Sequence, residues 1–139
     1  DYTKCKFSDG QDLQGTFLPN SNLSFASFIQ VNLDKSIMMN SNLAFGTFSE
    51  SSFIRANLYE STLPGANFEQ SNFTSANLTR ADFMGATLID VNFQNSNLME
   101  ANFTSSNILN ANFEGANLIG ATWTNGEVCG PDSIGPCNK

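Results

Sequence analysis

From Leu23 to Trp123 every fifth residue is large and apolar, 21 positions in succession without exception: Leu23, Phe28, Leu33, Met38, Leu43, Phe48, Phe53 and onward. Leu13 and Leu18 extend the frame backwards. Two residues before each of these centres the same units hold 10 Ala, 8 Ser, 2 Val and one Gly. One residue before the centre there are 13 Asn and one Asp, the rest being mostly Ser or Thr. The two residues after the centre vary freely and carry most of the charge. The unit reads Ala/Ser-Asn-Leu/Phe-x-x.

Neither common backbone period accounts for this. On an α-helix successive centres would be about 140° apart and form no stripe. On a continuous strand an odd period sends alternate centres to opposite faces. A short extended segment that points its small residue and its centre inward, then turns a corner through the two variable residues, satisfies the pattern. Repeated in one sense, such segments make a coil, and stacked coils make a solenoid.

The number of walls per turn is legible too. At a lag of 20 residues, 11 of 17 pairs of centres are identical, more than at any other multiple of five up to 25. Phe53, Phe73, Phe93 and Phe113 then share one wall and Leu58, Leu78, Leu98 and Leu118 the next. Four walls per coil, stacked at the ~4.8 Å spacing of paired strands, predict an all-β rod of about five to six coils, its shaft filled by like side chains on like.

This unit resembles that of the pentapeptide repeat family, and the resemblance covers residues 13–125. It implies a right-handed quadrilateral β-helix, a handedness that the period alone does not supply. Ile37 and Phe17, in place of the polar residue before the centre, and Val31 and Val91, at the small site, depart from the pattern locally.

The chain divides into a cap with a broken frame (1–12), the solenoid (13–125) and a tail (126–139). Cys5-Lys6-Phe7 rejoins the frame if one residue among Ser8, Asp9 and Gly10 is inserted; Phe7 then caps the first coil and Cys5 takes a buried small site. Trp123 is expected to close the Phe83–Phe103 column. The tail is rich in turn formers, and Cys129 and Cys137 flank a Gly/Pro loop. A disulfide covering the last coil is the expected pairing. Half of a metal site is the competing reading, and neither a histidine nor another Cys pair supports it. A disulfide implies an oxidising compartment. Similar Cys-containing tails in the family point to a periplasm or thylakoid lumen of cyanobacterial or plastid origin, a cytoplasmic location being the alternative. The sequence begins at Asp1 without an apolar leader, as after removal of a targeting signal or shortening of the chain.

Composition narrows the function. With no histidine among the 139 residues, the commonest general base and metal ligand is missing. No phosphate-binding loop, nucleophile elbow or calcium nonapeptide occurs. Catalytic, cofactor-binding and metal-binding residues are therefore expected to be none, and cofactors none. A net charge of −7 opposes direct nucleic-acid binding. No apolar run approaches the ~20 residues of a membrane span. The sequons at Asn22, Asn72, Asn77 and Asn102 follow from repetition, and the Asn column is expected to bond at corners or between coils. Glu60, Arg80 and Glu100 share a corner column that alternates in sign. The glycines at 15, 65, 85, 115 and 120 fall in the second variable position, where a corner needs φ > 0.

Phe25 and Phe45 fall one coil apart in that same position, so their rings should stack on the outside as a candidate docking patch, unless the N-terminal segment folds over them. The expected function is a non-catalytic rigid scaffold for an unknown protein partner, as a monomer or weak homodimer without membrane insertion. The alternative implied by the resemblance is DNA mimicry toward DNA gyrase. Dispersed acids and a small Cys tail disfavour it. Ice binding ranks last, since Thr47, Thr62, Thr87 and Thr122 form no single column.

Overall fold

The structure, a computed structural model, describes residues 1–7 and 9–138. Its repeating contact is an isolated parallel bridge between residues 20 apart, running without a gap from Asp12↔Asn32 to Asn102↔Thr122. The coil therefore has four walls, whose centres begin at Leu13, Leu18, Leu23 and Phe28 and recur every 20 residues.

One unit shows why five residues suffice. In Ala56-Asn57-Leu58-Tyr59-Glu60 the Leu58 and Glu60 N–H groups donate forward to the carbonyls of Asn77 (2.8 Å) and Thr79 (3.0 Å) in the next coil. The Asn57 N–H donates back to Ser36 (2.8 Å), and Ala56 closes the preceding corner onto Phe53 (3.0 Å). The remaining donor, Tyr59, is taken by the Asn57 side chain, Oδ1 at 3.1 Å. Every backbone donor of the unit is thus satisfied, which a buried, closely wound chain requires. The same amide–corner bond recurs at Asn67, Asn72, Asn92, Asn97, Asn102 and others. The amide nitrogen works independently: Asn77 Nδ2 donates to Asn57 Oδ1 (3.2 Å) one coil away. Both expected uses of the Asn column operate together.

Each corner turns through a residue in the left-handed region. Among the described residues eighteen that are not glycine, including Phe25, Phe45, Arg55, Glu60 and Asp90, have φ between 54° and 59°. Such residues are disfavoured singly, yet a forward hydrogen bond from the same residue, as at Glu60, Arg80 and Ser105, fixes the conformation here.

The shaft is close-packed. The centres from Leu23 to Phe103 are fully buried, and in the last coil Ile108 and Phe113 are half-buried. Rings stack on rings: Phe48–Phe68 at 4.9 Å and 11°, Phe53–Phe73 at 4.6 Å and 11°. Each of the four coils from Leu43 to Leu118 contains two Phe centres. One always lies on the first wall. The other lies on the fourth wall for Phe48 and Phe68 and crosses to the third for Phe83 and Phe103. At that crossing Phe83 stands edge-on to Phe68 (6.1 Å, 74°) and Phe73 (6.3 Å, 84°). The exchange keeps the aromatic volume per coil constant while its position moves, as uniform packing demands.

Both ends follow the frame further than the broken pattern suggests. Lys6 bridges Ser27, a lag of 21, whereas Asp12 bridges Asn32, a lag of 20, so one extra residue lies between them. The Gly10 N–H still donates to Gln30, a lag of 20, where the corner donor Gly15 spans 19 to Asp34. The regular frame therefore resumes at Gln11, and the insertion falls in the expected segment. Of its three expected sites, Ser8 is outside the described residues. Phe7 stacks on Phe28 at 4.0 Å and 18°. Cys5, expected to be buried, is exposed as a free thiol; the small site it occupies lies on the first coil, which among the described residues is stacked on one side only. At the other end Trp123 meets Phe103 at 5.6 Å and Phe113 at 5.2 Å. The tail doubles back as antiparallel bridges, Asn117↔Ile134 and Thr122↔Val128. It thereby pairs the last coil's Leu118, Gly120 and Trp123 N–H groups with Ser133, Cys129 and Glu127. Cys129 and Cys137 are joined across it, S–S 2.03 Å and Cα–Cα 5.1 Å.

Candidate interaction surface

With the interior filled, chemistry is confined to the outside. No cavity opens among the described residues, and no group of three or more His, Cys, Asp or Glu gathers there to hold a metal ion. No helix among them is long and apolar enough to cross a membrane.

Phe25 and Phe45 stack face to face at 5.3 Å and 19°. They remain 54% and 57% exposed, so the N-terminal segment does not fold over them. The stack rests on a glycine. A β-carbon at Gly65, the next residue of the column, would lie 2.7 Å from Cδ1 and Cε1 of Phe45. Only a residue without one lets the ring lie flat along the rod.

The patch is longer than the two rings. The corner between the third and fourth walls carries Ser24-Phe25, Ala44-Phe45, Pro64-Gly65, Met84-Gly85 and Thr104-Ser105 in successive coils, and Met84 is itself exposed. None of these ten residues is charged. Each of the other three corners carries charge, including Asp34, Lys35 and Arg55 on one, Glu60, Arg80 and Glu100 on the next, and Glu50, Glu69 and Asp90 on the last. Reading both variable positions at a lag of 20, instead of the second alone, would have found Pro64 and Met84 in the sequence. Of the other outward apolar residues, Ile29, Ile89, Met39, Tyr59, Met99 and Ile119 are half-buried, and Leu109 is exposed.

The charged ladder forms as its alternation implies. Arg80 pairs with Glu60 (Nη1–Oε1 3.2 Å) and with Glu100 (Nε–Oε2 2.7 Å), one coil to either side. The Tyr59 hydroxyl donates to Glu60 (2.8 Å) and accepts from Arg80 (3.3 Å). The Tyr59 hydroxyl and then the Arg80 guanidinium hold the Glu60 carboxyl below the usual carboxylate range. The two carboxylates, Glu100 first, hold the Arg80 proton more firmly still. The four sequon Asn residues are occupied at their corners: Oδ1 of each accepts the N–H and hydroxyl of Ser24, Thr74, Thr79 or Thr104.

A four-walled rod with a filled shaft and chemistry only on its surface defines a solenoid repeat protein. The family model for pentapeptide repeats matches in eight copies over residues 10–44, 51–88 and 81–120, and the chain belongs to that family. A comparison with curated proteins gave no match. Solved structures similar in fold include HetL of the cyanobacterium Nostoc sp. strain PCC 7120, a pentapeptide repeat protein involved in heterocyst differentiation regulation. It is 22% identical, with 90% of this chain and 64% of that one covered and a TM-score of 0.36. A pentapeptide repeat protein of the Arabidopsis thaliana thylakoid lumen is 22% identical over 84% of this chain and 67% of its own, TM-score 0.42. A trypsin-treated form of QnrB1, a plasmid-mediated fluoroquinolone resistance protein, is 15% identical over 86% and 74%, TM-score 0.48. This chain thus spans less than two thirds of HetL.

Proposed function

We propose that this protein is a non-catalytic, rigid scaffold that docks a protein partner along the uncharged corner through Phe25 and Phe45, and that its coil is right-handed. The observation that carries this reading is the exposed ring stack seated on Gly65. Scattered exposed apolar side chains are ordinary, whereas a contiguous apolar ridge on an otherwise charged molecule marks an interaction surface. The filled shaft supports the non-catalytic part, because a carboxylate on an open corner has no cleft to tune it for acid–base work. DNA mimicry toward gyrase is the weaker reading: Arg80 sits between Glu60 and Glu100 and interrupts what an acidic imitation of a phosphate row needs. The Cys129–Cys137 bond supports an oxidising compartment, a periplasm or thylakoid lumen.

Affinity capture from the native compartment, with wild type and Phe25→Ser/Phe45→Ser side by side, tests the docking surface. Partners that are lost with the double variant support it. Recovery of the same partners by both forms removes it. Mass spectrometry that finds Cys129 and Cys137 as free thiols in native material would remove the oxidising compartment.

A further inference from the structure

The corner that carries the two rings is asymmetric along the rod in a way that matches its own reversal. From the N-terminal end its second variable position reads Lys4, Phe25, Phe45, Gly65, Gly85, Ser105 and Asn125. Lys4 belongs to this column because its N–H donates to the carbonyl of Ser24, just before Phe25 in the next coil, and its φ of 59° matches the other corners. One end is therefore cationic and bulky. The other end is small, and at Gly85 open: a β-carbon there would meet nothing within 4 Å. Beyond Ser105 the chain turns at Gly126 and returns over Trp123 through Glu127, whose carboxylate accepts from Asn125 Nδ2 at 2.8 Å. The far end of the corner thus carries the Glu127 carboxylate.

We propose that this corner binds a second copy of the chain, antiparallel, about a two-fold axis near Gly65. This rests on the proposed docking role of Phe25 and Phe45 and names their partner. Reversal about Gly65 sets Phe45 against Met84-Gly85 of the second copy, Phe25 against Thr104-Ser105, and Lys4 against Asn125 and Glu127. Because the axis is two-fold, each contact occurs twice. Bulk meets space, a thioether meets aromatic edges, and cation meets anion. The corner after the fourth wall offers no such match, because reversal about Glu69 there would set Glu50 against Asp90. A corner-to-corner contact falls short of the ~1,200 Å² of stable interfaces, so the dimer is a weak one.

Sedimentation equilibrium of the full chain in moderate salt, from about 10 to about 500 µM, is the test, that range being where so small an interface is populated. Wild type is expected to show a monomer–dimer equilibrium, and Phe45→Ser to weaken it by roughly tenfold or more. Lys4→Glu should weaken it too, and Lys4→Glu/Glu127→Lys should restore it. Lys4 and Glu127 lie at opposite ends of one rod, so this rescue arises only between copies. A monomer throughout the range, a dimer indifferent to Phe45→Ser, or a charge swap without rescue overturns the proposal. Phe-dependent capture of another protein by a monomeric chain would leave the docking surface standing and remove only the self-pairing. A dimer whose other partners are captured regardless of Phe25 and Phe45 would do the reverse.

Discussion

The Phe48 ring occupies the space that a β-carbon on Gly46 would need, with an ideal Cβ there lying 2.5 Å from Cε2 and 3.2 Å from the Ala26 carbonyl. Gly46 is the one glycine among the small sites, and the stacked rings of Phe28 and Phe68 on either side leave Phe48 no room to yield. Gly46→Ala is expected to destabilise the protein by about 1–3 kcal/mol through overpacking, despite the usual benefit of removing a glycine. Urea unfolding followed by circular dichroism measures it; an unchanged or raised midpoint would show that the stack adapts.

Two buried hydroxyls, Ser36 Oγ and Ser71 Oγ, have no hydrogen-bond partner among the described residues. At the equivalent site Ser51 Oγ donates to the Phe28 carbonyl and accepts the Val31 N–H (2.9 Å). Ser71→Ala should therefore stabilise by about 1 kcal/mol and Ser51→Ala destabilise by about as much, since an unmade buried bond costs what a made one does not. Thermal unfolding of the pair separates the two signs.

The Asx corner has one informative exception. The unit at Phe53 has Ser52 where most have Asn, and its Ile54 N–H is taken instead by Asp34 Oδ1 of the preceding coil (2.9 Å). Asp34→Ala should cost about 0.5–2 kcal/mol, the range of losing a capping side chain. The same substitution in a Ser52→Asn background should cost measurably less, because the introduced amide would cap its own corner. A double-mutant cycle by urea unfolding reads the difference; additivity would mean that Asp34 acts in some other way.

Protonation reaches the surface ladder through Glu60. Its folded pKa is lowered, so the stability it contributes is present above the ordinary carboxylate pKa and is lost as pH falls through the lowered value. Tyr59→Phe removes the first cause of that lowering, the hydroxyl bond. The urea midpoints of wild type and Tyr59→Phe are expected to differ at neutral pH and to converge in acid, the gap narrowing in high salt. A gap that persists in acid would assign the effect to packing of the ring.

Removal of the disulfide should act at one end only. Repeat arrays couple each coil to its neighbours, so Cys129→Ser/Cys137→Ser should free the tail and speed exchange at the Leu118, Gly120 and Trp123 amides it pairs. The amides near Leu58 should stay protected. Hydrogen exchange resolved by residue checks this, and uniform loss of protection would count against local coupling.

The walls, the ring columns and the ladder of Glu60, Arg80 and Glu100 were legible because side chains 20 residues apart touch directly, so that sequence lag and distance are the same quantity. The Phe25–Phe45 stack was legible for the same reason. Its seat was not: that Phe45 leans onto Gly65 depends on a rotamer, which no period encodes. The exposure of Cys5 is not encoded in the repeat, because a small site is buried only when described coils lie on both sides of it. The extra residue before Gln11 lies in that same first coil, where a change of lag has one described neighbour to match.

That last feature sets how such a protein can change its length over evolutionary time. One inserted residue inside the rod would rotate every later centre out of its column and take each Asn from its corner. A gain or loss of twenty residues restores both. The exchange of Phe between the third and fourth walls further dictates which coil could be duplicated beside which. Inheritance in this lineage is thus expected to proceed by whole turns, with smaller insertions surviving only near the ends.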